Sequence, residues 1–405
     1  MKQIIIAALI LIVSLNVDCL AKPQAKDTAK KADLYIFTDV KVVPTTAIKN
    51  QNKSGTCWSF SGLGFIESEL LRLGKGEYDL SEMFVVRKNY EDKAKKYVRY
   101  HGNINFAGGG AFHDVISVIK NYGILPEDAY RGIEYAEEKH IHGELDAVLK
   151  ANVDAVMQNQ NSTKKLSPVW FSAYCSIMDA YLGVVPENFV YNGITYTPQS
   201  FAKSLGLNSD DYVSVGSFTH HPFYEKFILE IPDNWAMEEI NNVKIDELME
   251  IIDNAINNGY TVAWGADVSE SGFKRNECIA YLPDENRPDL TGEQRAEWNK
   301  LSDKQKDSVL FAFEKKLPEK IITQEFRQIG FDNYQTTDDH GMIICGIAKD
   351  QDGNKFYKIK NSWGTTYKYN GFWYVSESFV KYKTIDIAVH KDAIPQKIKS
   401  ELKIN

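Results

Sequence analysis

Cysteine is scarce in this chain, with five in 405 residues, at positions 19, 57, 175, 278 and 345. So few thiols argue against a disulfide framework, and no pairing is expected among Cys57, Cys175, Cys278 and Cys345. An excess of positive charge is also missing. The net charge is −8 and no basic patch stands out, which removes nucleic acid as a partner. Lys93 to Lys96 is a short basic run flanked by acids and reads as a solvated helix face. His140, His142, His220 and His221 have no cysteine or carboxylate beside them at ligand spacing, so neither a metal nor a cofactor is expected. The apolar run from Ile4 to Val17 is too short for a membrane span. With Lys2 before it, and Cys19 and Ala21 at the small-residue positions, it predicts a signal peptide over 1–21 and export to a periplasmic or extracellular space. A lipid anchor at Cys19 is the rival, disfavoured by Asp18 before it.

What is present centres on residues 51–60. Leu63, Ile66, Leu70 and Leu73 recur at helical spacing behind Cys57, with Gly74 as a stop, and predict an amphipathic helix. Cys57 then falls in the first turn, where free backbone amides and the helix dipole favour a thiolate. Gln51, six residues upstream, is a candidate donor to a developing oxyanion, beside the Cys57 amide.

A nucleophile needs a base and a group to orient it. His340 opens a buried strand that runs to Ala348, Asp350 to Gly353 reads as a turn, and Lys355 to Lys360 returns as a second strand. A hairpin centred at 350.5 brings His340 and Asn361 to the same open end. Tyr357, Ile359 and Asn361 share a face of the returning strand, so Asn361 can fix the His340 tautomer, and Trp363 can shield that bond.

These stretches resemble the papain-like cysteine peptidases, in particular their bleomycin hydrolase/aminopeptidase C branch. The likeness is carried by residues 51–60, Leu80-Ser81-Glu82, Gly108-Gly109-Gly110 and Tyr122 to Pro126. Gly265 to Val268, Asp339-His340-Gly341 and Asn361 to Gly364 complete it. It implies an α+β, two-lobe fold with an inserted helical subdomain. In it Cys57 would be the nucleophile, His340 the general base then acid, Asn361 its orienter and Gln51 the oxyanion donor. Gly108, Gly109 and Gly110 would form the cleft rim, with Trp58, Asp339 and Trp363 also beside the peptide substrate. Ser54 stands where secreted papain relatives usually carry a disulfide cysteine. His340 follows Cys57 by 283 residues, against about 130–150 in papain and cathepsins, so a subdomain must be inserted.

The expected organisation is a leader over 1–21, a tether over 22–34 and a helical lobe over 35–133. A helical insert over 134–240, a β-rich lobe over 241–395 and a tail over 396–405 follow. Insert helices are marked by Leu145 to Val156 and by Trp170 to Tyr181. In the resembled family such helices build a homo-oligomeric, hexameric ring; an intrachain helical cap fits the same residues. Residues 283–320 read as charged helices, with capping boxes at Thr291 and Ser302.

The resemblance implies an aminopeptidase ahead of an endopeptidase, with an amidase or acyltransferase and a non-catalytic binding protein further behind. Two positions depart from the branch. The chain ends Leu402-Lys403-Ile404-Asn405 rather than in a small apolar tail, and Asp339 replaces the usual Thr before the catalytic His.

Overall fold

The computed structural model describes residues 33–404 apart from 136, 137 and 164, so the expected leader with Cys19 and nearly all of the tether lie outside the described residues. Strand β1 (Thr38–Val42) precedes helices α1 (Cys57–Arg72), α2 (Glu82–Arg99) and α3 (Phe112–Tyr122). Helices α4 (Gly143–Thr163) and α5 (Trp170–Leu182), strands β2 (Phe189–Tyr191) and β3 (Ile194–Tyr196), and α6 (Pro198–Leu205) follow. Next come β4 (Tyr212–Gly216), β5 (Lys226–Ile228), β6 (Glu239–Asn242), α7 (Ile245–Asn257) and β7 (Val262–Ala266). The short β8 (Phe273–Lys274) and β9 (Ile279–Ala280) lead to α8 (Gly292–Lys300), α9 (Asp303–Leu310) and α10 (Gln324–Asp332). The chain closes with β10 (His340–Lys349), β11 (Lys355–Lys360), β12 (Phe372–Ser376), α11 (Glu377–Lys383), β13 (Thr384–His390) and α12 (Gln396–Glu401).

One mixed sheet, in the order β5-β6-β4-β13-β7-β10-β11-β12-β9-β8, carries the second half of the fold. Strand β10 is its hub. Its first half pairs with β7, its second half with β1, and β11 runs along it as the returning arm of the hairpin. Alternation along β10 feeds two cores. Ile343 joins the residues of α1, α2 and α3 on one face, while Met342 and Ile344 join Trp264, α7 and α12 on the other.

Three expectations change on the structure. Helix α1 is not a surface amphipathic helix: every residue from Trp58 to Leu70 is buried, whereas Leu73 at its end is exposed. Its small residues allow this close packing, since a Cβ on Gly62 would stand 2.6 Å from Val115 Cγ2. Its buried acids are paired. Glu67 accepts from Thr46 Oγ1 at 2.6 Å and from Lys49 Nζ at 3.3 Å, and Glu69 binds Arg72.

The catalytic-side hairpin is centred elsewhere. Lys349 pairs with Lys355 and Ile347 with Tyr357, so the turn is centred on Asp352 rather than 350.5. A bulge between Ile344 and Gly346 then slips the register by one residue. The insert is not purely helical either. Helices α4 and α5 cover the expected stretches, but β4, β5 and β6 extend the main sheet, and β4 pairs with β13.

Candidate active site

Cys57 is the first residue of α1, behind Thr56 as N-cap. Three contacts tie the stretch before it to the far end of the chain. Gln51 N donates to Ser362 O at 2.9 Å, Gly364 N donates to Lys49 O at 3.0 Å, and Asn50 bridges to Trp363. Gly364 sits at φ +76°, and a Cβ there would stand 2.9 Å from Asn50 Nδ2, so glycine is required for the two strands to lie this close.

The Gln51 side chain is oriented at both ends. Its Oε1 accepts from Ser362 Oγ at 2.6 Å and its Nε2 donates to Ser54 O at 2.9 Å. A primary amide has two N–H groups, so one remains for a ligand.

On the opposite side, β10 brings His340 to the start of α1. Gly341 lies against the start of α1, where a Cβ on it would stand 3.5 Å from Trp58 N and 2.6 Å from Ser61 Oγ. His340 Nε2 lies 2.8 Å from Asn361 Oδ1. That oxygen also accepts from Ser362 N at 2.7 Å, which fixes which end of the amide it is. Nε2 is therefore the protonated nitrogen, and the Nδ1 lone pair is left for the thiol. Trp363 stacks on the imidazole with centroids 4.7 Å apart, and Arg275 lies over the Trp363 ring at 4.8 Å.

Burial acts against the thiolate that the helix start favours. Burial outweighs the helix amides and pushes Cys57 up to about 12; the Gly341 and Trp58 amides oppose this, while Asp338 and Asp233 add to it. Burial likewise holds His340 down to about 4, against the Asn361 oxygen and with a further push from Arg275.

The rim residues also assemble. Trp58 Nε1 donates to Gly108 O at 3.0 Å, Gly110 lies against the Trp58 indole, and Lys93 Nζ bonds the carbonyl groups of Ala107 and Gly109. Asp339 is exposed and turned towards the 267–269 loop, where it accepts from Val268 N at 3.2 Å and Ser269 N at 3.0 Å. The histidines of the sequence separate into two pairs. His140 and His142 are buried, and burial holds each down to about 4. His220 and His221 do meet a carboxylate, Glu230, at 3.0 and 2.9 Å, which sequence spacing did not reveal. The Gln328 amide, fixed by Thr219 N on its oxygen, donates to His220 Nδ1, so Nε2 of that ring carries the proton given to Glu230. The four described cysteines are free thiols. No helix among the described residues is long and apolar enough to cross a membrane.

A thiol at a helix start, an imidazole held by an amide oxygen and a second amide tied to Ser362 beside that asparagine define the papain-like class of cysteine peptidase. The chain belongs to the Peptidase C1-like family, whose model matches residues 7–281 and 301–405. It is 20% identical over 396 residues to an Aminopeptidase C of Listeria innocua, covering 88% of this chain and 82% of that one. An Aminopeptidase C of Lactobacillus helveticus is 22% identical over 419 residues, covering 91% and 86%. The crystal structure of PepW from Lactobacillus rhamnosis superposes with a TM-score of 0.68 at 19% identity, over 90% of this chain and 84% of that chain, and carries the same fold.

Proposed function

We propose that this cysteine peptidase is an aminopeptidase that works through Cys57, His340, Asn361 and Gln51. The observation that carries the reading is the hydrogen bond of His340 Nε2 to Asn361 Oδ1 beside the start of α1. It leaves Nδ1 as the one ring atom able to take the thiol proton. Cys57 Sγ attacks the scissile carbonyl carbon as His340 Nδ1 takes that proton. The oxyanion is held by the Cys57 amide and the free Gln51 N–H, each supplying about 10²–10³ in rate. His340 then gives its proton to the leaving amine, and a thioester to Cys57 remains. Water attacks the thioester while His340 accepts its proton, and the thiol is restored as the acid leaves.

Removal of residues from the amino end accords with the names of the curated relatives. Digestion of an unstructured peptide, followed by mass spectrometry, tests it: a ladder shortening from the amino end is expected, lost in Cys57→Ala. Internal fragments would instead indicate an endopeptidase. Export with cleavage after Ala21 is part of the same proposal, and an intact Met1 on the mature protein would contradict it. A ring of subunits would show in light scattering as a multiple of the mass of the chain that this cleavage leaves.

A further inference from the structure

Lys93 does not lie on the solvated helix face that its run of charges predicts. It is 1% exposed, on α2 beside residues 107–110. An ammonium taken out of water costs several kcal/mol unless its N–H groups are met. Here backbone meets them: Nζ donates to Ala107 O at 2.9 Å and to Gly109 O. Two rings also face the cation, with centroids at 5.8 Å for Tyr90 and 5.6 Å for Trp235.

Carboxylates complete the surroundings. Asp146 Oδ2 stands 3.3 Å from where a Gly108 Cβ would be, Asp114 Oδ2 stands 2.8 Å from a Gly110 Cβ, and Asp233 fills the place of a Gly109 Cβ. Each rim glycine thus faces one acid, from α4, α3 and the β5–β6 loop in turn. Each acid is bonded to a neutral donor. Asp146 accepts from Tyr90 Oη at 3.1 Å and Asp233 from Asn105 Nδ2 at 3.0 Å. Asp114 accepts from Ala111 N at 2.8 Å and Trp235 Nε1 at 3.2 Å. Lys93 brings the positive charge to all three, while Lys96, on the same helix, gives its ammonium to Ala236 O.

The remaining carbonyl of this stretch is taken as well. Gly108 O accepts from Trp58 Nε1 at 3.0 Å, so Ala107, Gly108 and Gly109 all turn their oxygens to two side chains. One belongs to the residue after Cys57, and the other reaches across from α2. The backbone that a peptide meets at the rim is therefore set by Trp58 and Lys93, and only Lys93 carries a charge that can be lost. Burial lowers its ammonium to about 8, against Asp114, Asp233 and Asp146.

We propose that Lys93 is the positioning residue of the cleft rim, its ammonium holding the Ala107 and Gly109 carbonyls so that the rim backbone fits the substrate. The proposal rests on the peptidase reading above, with residues 108–110 as the rim, and not on the end from which a peptide is cut. Fluorogenic peptides with a free and with an acetylated amine, offered to wild type, Lys93→Met and Lys93→Arg, separate these claims. On whichever peptide wild type cleaves, Lys93→Met is expected to raise KM at least tenfold with kcat within about twofold. Lys93→Arg, which keeps the charge, should recover most of that loss. As pH rises through 8, KM of wild type should climb further than that of Lys93→Arg. The amine of the substrate itself titrates at about 8 for both enzymes, so the difference between them carries the result. Iodoacetamide should alkylate Cys57 at the wild-type rate in each variant. Should Lys93→Met fail to fold, the pH profiles of wild type and Lys93→Arg decide. Unchanged KM in Lys93→Met, or identical pH profiles for wild type and Lys93→Arg, overturns the positioning role. Equal turnover of free and acetylated peptides by wild type overturns the aminopeptidase reading alone and leaves the comparison at Lys93 standing.

Discussion

His340 Nε2 and Asn361 Oδ1 are 2.8 Å apart although the two residues are not paired across the β10–β11 hairpin. The bond forms beyond the last ladder pair, Ile343 with Lys360, where Ser362 N and His340 share one amide oxygen. Its role is to choose a tautomer.

Replacing Asn361 by Ala therefore acts on kcat. A freed ring presents either nitrogen to the thiol, and a loss on the order of 10²-fold in kcat with little change in KM is expected. Steady-state kinetics checks this; a change confined to KM would speak for a binding role.

Gln51→Ala removes an oxyanion donor and leaves the thiol and its base in place. We expect kcat to fall by about 10²–10³. Alkylation of Cys57 by iodoacetamide develops no oxyanion and should proceed at the wild-type rate. A matching loss in alkylation would mean that Gln51 shapes the nucleophile itself.

Lys49 joins three carboxylates, Glu67 at 3.3 Å, Asp79 at 2.5 Å and Glu82 at 2.6 Å, two residues before Gln51. Glu67 and Glu82 are almost fully buried, so Lys49→Met strands two charges in the interior. A loss of about 3–5 kcal/mol is expected in urea unfolding. Removing Glu67 as well should recover part of it.

Asp386 links stability to pH. Burial raises its carboxyl from 3.8 to about 6, with His113 opposing and its own amide helping the charged form. The folded state then binds the proton more tightly than the unfolded chain. Stability from this group is complete below about pH 4 and is lost as pH rises through 6. Asp386→Asn removes that dependence and should be more stable than wild type at pH 7.5, by up to about 3 kcal/mol. The two should converge near pH 3.5. Unfolding curves across this range decide, and a variant less stable at pH 7.5 would contradict the sign.

Much of this site was legible in the sequence because its parts are local. Cys57 announces itself by the helical periodicity behind it, His340 and Asn361 by two strands about a turn, and Gln51 by its distance from Cys57. The turn centre was misplaced because the turn runs on to Asn354, which bonds back to Asp350, and the bulge at Ile344 then slips the register by one residue, yet the residue pair survived. The burial of α1 on all sides was hidden by Ser61, Glu67 and Glu69, polar residues whose partners come from Cys57 O, Thr46, Lys49 and Arg72. Asp233 and Asp386 gave no local sign at all. Asp386 comes to lie opposite Gly265 only through the pairing of β13 with β7, and Asp233 against Gly109 only through the loop over it, relationships that exist once the chain has folded.

The central claim is that Cys57 removes residues from the amino end of a peptide. Its most direct test is turnover of two fluorogenic peptides of one sequence, one with a free amine and one acetylated, by wild type and Cys57→Ala in reductant. Cleavage of the free-amine peptide alone, abolished in Cys57→Ala, is the predicted result. Equal cleavage of both peptides, or activity that survives the loss of Cys57, would contradict the account.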